Sequence, residues 1–114
     1  MIIAKDFIKT GFSEEDAKPI LNAIENIISK EPIITIDFNG IRAFTILFFN
    51  NALGKFFLDL GPKDFERKFK LENLSETGNV TYEHFLKNSK QFYEMKKLGK
   101  TDSYNKIVEE NEVL

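Results

Sequence analysis

The chain has 114 residues, of which 42% are hydrophobic and 12 are Phe, and this predicts one domain with an aromatic core. Its formal net charge of −2 excludes the strongly basic surface that nucleic-acid binding requires. Cysteine is absent, which excludes disulfides and thiolate zinc sites, and no signal sequence or long apolar segment is found, so we expect a cytoplasmic protein without membrane contact.

The first part of the sequence predicts a strand, a helix and a second strand. Residues 2–8 are expected to form a short strand or an ordered entry arm. Ser13 precedes three acidic residues, which is typical of a helix start, and apolar residues then recur every three or four positions up to Ile28. The run Ile33 to Phe38 is short, apolar and β-branched, which predicts a strand buried on both faces.

A turn and a phenylalanine-rich helix follow this strand. The dipeptide Asn39-Gly40 is a turn signal, and the apolar spacing predicts a helix from Thr45 to Leu60 that ends at Gly61-Pro62. Gly54 falls inside this helix, where the missing side chain is expected to allow close packing. A short helical turn is predicted over Asp64 to Lys68.

The remaining sequence predicts one more strand and one more helix. Residues 69–74 alternate between apolar and polar, residues 75–79 form a polar loop, and a third helix begins near residue 81. Because strands and helices alternate, the fold class is α/β, with a small, mostly parallel or mixed sheet of three or four strands and about three helices. We expect residues 1–98 to form the domain and residues 99–114 a charged C-terminal tail.

The polar residues contain few combinations that could carry out catalysis. His84 is the single histidine and has no nucleophile in a recognisable pattern, so it is expected on a solvent-facing helix. Asp37 follows an apolar strand, and it either binds the backbone amides of the next loop or serves as a binding or catalytic acid. A site built from Asp37, His84 and Tyr82 or Tyr93 is the enzyme alternative. The sequence favours no enzyme and predicts no cofactor or metal.

Four segments in order resemble the bacterial STAS-like domain family, which is related to the STAS domains of sulphate transporters and anti-sigma-factor antagonists. They are IAKDF at residues 3–7, IDFNGI at 36–41, LFFNNALGKFF at 47–57 and FKLENLS at 69–75. The resemblance implies a small sheet with packed helices and a regulatory or adaptor role through protein–protein contact.

In anti-sigma-factor antagonists, the loop and helix start after the central strand bind a histidine-kinase-type ATPase, which phosphorylates a Ser or Thr there. That acceptor position falls at Ile46 or Leu47, which have no hydroxyl, so Thr45 is the remaining phospho-acceptor candidate. The alternative role of Thr45 is that of helix N-cap. The resemblance implies partner binding at Gly40, Ile41, Arg42, Phe44, Thr45 and Ile46.

Two further questions stay open at this level. If Ile41, Phe44 and Ile46 are exposed, they form an apolar surface for a partner, and if they are buried they belong to the core. The alternative function is a small-ligand or nucleotide sensor that holds an anion near Thr45 and Arg42, although Arg42 could instead pair with Asp37. The chain could also form a homodimer.

Overall fold

The computed structural model describes residues 1–97. Its strands are β1 (Ile2–Ile3), β2 (Ile34–Asp37) and β3 (Phe69–Glu72), and its α-helices are α1 (Glu14–Ile27), α2 (Ile46–Leu60), α3 (Pro62–Lys68) and α4 (Glu76–Lys97). A 3-10 helix, Ala4–Asp6, follows β1. The predicted α/β class is confirmed, and the short helical turn predicted over Asp64 to Lys68 corresponds to α3. The predicted boundary between domain and tail, at residues 98 and 99, lies outside the described residues.

The sheet has three strands in the order β1-β2-β3, and both strand pairs are parallel. Parallel crossovers are almost always right-handed, so two successive crossovers in one direction are expected to place their helices on the same face of the sheet, and α1 and α2 do pack against each other. The burial of β2 agrees, since Ile34 and Ile36 are fully buried whereas Thr35 and Asp37 are only half-buried. The prediction that this strand is buried on both faces is therefore wrong, because the described helices cover one face.

Aromatic side chains fill the core between the sheet and the helices, as the composition predicts. Phe65 stacks on Phe69 with ring centroids 4.8 Å apart, and Phe57 lies 5.0 Å from Phe65. The fully buried aromatic residues are Phe38, Phe48, Phe49, Phe57, Phe65 and Phe85. The chain thus joins α2, α3, β3 and α4 through one cluster of rings.

Helix α4 begins at Glu76, so the predicted polar loop at residues 75–79 is wrong. The Ser75 hydroxyl accepts a hydrogen bond from the Gly78 amide at 3.0 Å, and the Ser75 carbonyl accepts one from the Asn79 amide at 2.8 Å. These bonds satisfy amides that a helix start leaves free. The polar residues that suggested a loop are therefore the cap and first turn of a helix.

Gly54 lies in α2 but is not a close-packing position. A Cβ atom placed on it would meet no atom within 4 Å outside its own helix and neighbours. The prediction of close packing at Gly54 is therefore wrong. Within residues 1–97, no helix has the length and apolar character to span a bilayer.

Candidate functional site

Three loops meet at the edge of the sheet where the parallel strands end, which is the usual ligand or partner edge of α/β folds. Gly11 pairs with the loop after β2, since its amide donates to the Ala43 carbonyl and its carbonyl accepts from the Thr45 amide, both at 2.9 Å. The loop after β3 joins them, because the Ser75 hydroxyl donates to the Arg42 carbonyl at 2.8 Å. The candidate residues thus belong to a hydrogen-bonded loop cluster.

The turn after β2 has the geometry that its sequence predicts. The Ile41 amide donates to the Phe38 carbonyl at 3.0 Å, which closes a four-residue turn. Gly40 occupies its third position with a φ of 91°, a conformation that a side chain would disfavour. This turn directs the chain away from the sheet and toward the start of α2.

Asp37 binds the loop backbone, as one of its two predicted roles requires. Its Oδ1 accepts hydrogen bonds from the Asn39 amide at 2.9 Å and from the Asn73 side-chain amide at 3.0 Å. The bond from Asn73, then the bond from Asn39 and the nearby charge of Lys5, lower the pKa of Asp37. The predicted Arg42–Asp37 pair is not formed, and among residues 1–97 the Arg42 guanidinium has no ion-pair partner.

Phe44 is buried, and its ring fits between two glycines. A Cβ on Gly11 would lie 2.7 Å from the Phe44 ring, and a Cβ on Gly78 would lie 2.8 Å from it. The ring stacks on Phe49 with centroids 5.4 Å apart and an interplanar angle of 6°. Ile41 is also buried, with 3% of its surface exposed, and Phe44 has 5%. Of the two alternatives that the sequence left open, burial therefore assigns Ile41 and Phe44 to the core, whereas Ile46 is half-buried.

Thr45 is the N-cap of α2, which confirms one of its two predicted roles. Its hydroxyl oxygen accepts a hydrogen bond from the Phe48 amide at 3.2 Å, and its proton is donated to the Phe12 carbonyl. The side chain therefore joins the start of α2 to the loop before α1. Nothing tests phosphorylation of Thr45, which stays a prediction.

The exposed residues at this site lie around Thr45. Phe12 is 49% exposed, and its carbonyl accepts the hydrogen bond from Thr45. Leu47 is 54% exposed and lies two residues after Thr45. Arg42 is exposed and Ile46 is half-buried. We refer to Phe12, Arg42, Ile46 and Leu47 as the junction surface. Sequence reasoning missed Phe12 and Leu47 as site residues, although Leu47 falls outside the apolar stripe of α2.

The loop before α1 is held in place by a capping box. The Asp16 amide donates to the Ser13 hydroxyl at 3.1 Å, and the Asp16 carboxylate accepts from the Ser13 amide at 3.2 Å and from the Thr10 hydroxyl at 2.9 Å. Burial alone raises the pKa of Asp16, but these bonds and one from the Phe12 amide outweigh it and lower that pKa. The backbone of Phe12 is thus bonded from both sides.

The sequence matches the model of a known protein family. The family model of the STAS-like domain of unknown function (DUF4325) matches residues 16–79, which is more than half of the chain. The chain belongs to this STAS-like family. The match contains the turn after β2, Thr45 and all of α2. No curated protein and no solved structure matches the chain.

The other candidates in this STAS-like domain, Tyr82, His84 and Tyr93, lie on α4. His84 is exposed on α4, as predicted. The Tyr82 ring lies 5.3 Å from Phe49 and 5.9 Å from Phe85, and burial, then the charge of Glu66, raises the pKa of its phenol. Within the described residues, no group of three or more His, Cys, Asp or Glu side chains could hold a metal ion.

Proposed function

We propose that this STAS-like domain is a non-enzymatic regulatory or adaptor domain that binds a protein partner through the junction surface. The observation that carries the proposal is the exposure of Phe12 and Leu47 on the two sides of the Thr45 hydrogen bonds. Single exposed apolar residues are common on protein surfaces, but Phe12 and Leu47 are linked through Thr45, whose hydroxyl donates to the Phe12 carbonyl.

The packing below the junction surface supports this proposal. Phe44 fixes the loop from the inside, and the Thr45, Gly11 and Ser75 hydrogen bonds fix its backbone. A preformed loop loses little conformational entropy when a partner binds, so more of the contact energy remains as affinity. The buried candidates Ile41 and Phe44 thus act as support in this proposal rather than as contact residues.

The resemblance to anti-sigma-factor antagonists favours a histidine-kinase-type ATPase as the first partner to test. Arg42 has no ion-pair partner among the described residues, and its exposed guanidinium suits a carboxylate on the facing protein. Function depends on the site rather than on the fold, so the exposed residues carry the proposal and the resemblance only selects the first partner to test.

Phosphorylation of Thr45 would act directly on the proposed contact. A phosphate on the hydroxyl removes the proton that is donated to the Phe12 carbonyl, and it adds negative charge between Phe12 and Leu47. Both changes weaken an apolar interface. We therefore expect the Thr45→Glu variant to bind the partner less well than the Thr45→Ser variant, which keeps the hydroxyl.

The test compares affinity capture by three folded forms of the chain: wild type, Leu47→Asp and Ile33→Asp. Ile33 is 45% exposed at the opposite end of β2, so it provides a matched control for adding a charge at an exposed apolar site. We expect Leu47→Asp to lower capture of a specific protein at least tenfold and Ile33→Asp to lower it less than twofold. Equal capture by all three forms would contradict the proposal.

The alternative, small-ligand or nucleotide sensing at Arg42 and Thr45, has weaker support. Two cavities, one between α3 and α4 and one beside β1, are lined by none of the six residues first expected to bind a partner. Calorimetric titration of the protein with inorganic phosphate tests this alternative. Saturable heat that disappears in Arg42→Gln would favour the sensor over the adaptor.

A further inference from the structure

A groove with a volume of about 870 Å³ lies between α3 and the second half of α4. Apolar side chains, among them Leu60, Leu86 and Tyr93, line it and are partly exposed. Basic side chains also line it, namely Lys63, Arg67, Lys87, Lys90 and Lys97. We refer to this feature as the α3–α4 groove.

The α3–α4 groove carries an excess of positive charge. Its acidic lining residues are Asp64, Glu66 and Glu94, against five basic ones. Arg67 pairs with Asp64 at 3.8 Å, whereas among residues 1–97 no ion pair is formed by Lys63, Lys87 or Lys90. The exposed ammonium groups above an apolar floor match an occupant that is both acidic and apolar.

The sequence contains such a segment immediately beyond α4. Residues 98–114 contain four of the 18 acidic residues and two of the 16 basic ones, so residues 1–97 carry equal numbers of each and the net charge of −2 belongs to the tail. Residues 107–114, IVEENEVL, combine three glutamates with four aliphatic residues and include no Lys or Arg. We refer to residues 107–114 as the acidic segment.

We propose that the acidic segment of the same chain docks in the α3–α4 groove. In this contact, its aliphatic residues cover the apolar floor and Glu109, Glu110 and Glu112 face the unpaired lysines. Lys97, the last described residue, itself lines the groove. The nine residues 98–106 that join it to the acidic segment can span about 30 Å, which is enough to reach along the groove.

Covalent connection makes such a contact feasible with few interactions. A short tether gives the acidic segment an effective concentration in the millimolar range at the α3–α4 groove, so an individually weak contact is occupied much of the time. The contact is independent of the proposed function, because none of the junction-surface residues lines the α3–α4 groove.

The chain has no cysteine, so one introduced cysteine provides a unique position for a nitroxide spin label. The experiment uses the full-length Asn111→Cys chain, labelled at that residue, and measures paramagnetic broadening of backbone amides by NMR. We expect the relaxation enhancement at Leu86 and Tyr93 to be at least fivefold larger than at Asn26, which lines the cavity beside β1.

Charge reversal provides the matched controls. The double variant Lys63→Glu/Lys90→Glu changes exposed side chains of the groove. We expect it to lower the relaxation enhancement at Leu86 and Tyr93 at least threefold. The double variant Glu109→Lys/Glu110→Lys is expected to lower this enhancement by the same factor. Combining the two double variants is expected to restore at least half of the signal, since the opposite charges face each other again. Circular dichroism checks that each variant folds.

Three results would overturn the proposal. The first is enhancement at Leu86 and Tyr93 no larger than at Asn26, and the second is enhancement that persists after either charge reversal. The third comes from a mixture of isotope-labelled chain without the nitroxide and spin-labelled chain without the isotope, in which broadening can arise only between two molecules. Enhancement as large as in the doubly labelled chain would be that third result. That third result would assign the contact to the tail of a second copy.

Discussion

Glycine occurs both around Phe44 and in the middle of α2, but the two regions surround it differently. At Gly11 and Gly78 a Cβ atom would lie 2.7 and 2.8 Å from the Phe44 ring, which is far inside normal contact distance. At Gly54 the same atom would meet nothing within 4 Å. Glycine is therefore required by packing beside Phe44, whereas in α2 it costs helix stability without serving a contact.

The largest effect on stability is expected from Phe44→Ala, which removes the ring that lies between Gly11 and Gly78. Phe44 is buried against the rings of Phe38, Phe48 and Phe49, so the substitution leaves a cavity lined by these rings. We expect the free energy of unfolding to fall by about 3–5 kcal/mol. Urea denaturation measures this loss, and a loss below about 1 kcal/mol would show that the ring is not tightly held.

A smaller loss is expected from Gly78→Ala in the same region. The added methyl group overlaps the Phe44 ring, which Gly11 and Phe49 prevent from moving away, and this outweighs the higher helix propensity of alanine. We expect a destabilisation of about 1–2 kcal/mol. In a Phe44→Leu background the loss should shrink, and full additivity of the two changes would contradict the contact.

The opposite sign is expected for Gly54→Ala in the middle of α2. The methyl group enters free space and the helix gains the propensity difference between alanine and glycine. Unfolding should require about 0.5–1 kcal/mol more free energy. Thermal and urea denaturation of wild type and variant side by side measure the gain. A net loss would mean that α2 has a neighbour at Gly54.

The smallest effect on stability is expected from the ionisation of Asp37. This residue is half-buried at the edge of the sheet where the loop containing the buried Phe44 begins. Its pKa is lowered from 3.8 in the folded state, so it stabilises the fold above that pH and the contribution is lost as the pH falls through the folded pKa. Carboxyl NMR titration should give a pKa below 3.8. Asn73→Gly keeps the φ of 58° accessible and removes the side-chain bond, so it should raise the pKa of Asp37 toward 3.8. An unchanged value would exclude Asn73 as the main cause.

Local patterns predicted the parts of the site that depend on neighbouring residues. Thr45 before a run of apolar residues identified the start of α2, and Asn39-Gly40 identified the turn, because caps and turns are short-range hydrogen-bonding features. Asp37 was correctly expected to bind loop amides for the same reason. Its second partner, Asn73, is distant in sequence and left no local signal.

The errors concern contacts between distant segments. The polar residues 75–79 suggested a loop, and the pattern gave no sign that Gly78 lies against the ring of Phe44, more than thirty residues earlier. The half-exposed face of β2 was missed because an apolar run does not reveal on which sides helices pack. Phe12 was missed as a surface residue because its exposure depends on the complete fold, whereas the exposure of Leu47 agrees with its place outside the apolar stripe of α2.

The parallel register of the sheet has a consequence for how the chain folds. Ile2 pairs with Ile36 and Ile34 pairs with Phe69, so each strand pair closes a loop of more than thirty residues, and the described part of the chain contains no hairpin that could serve as a local starting point. The entropy of closing these loops must be lost before the sheet gains its first bonds. Formation of the sheet is consequently tied to the docking of α1 and α2, and the strands and helices gain or lose their structure together.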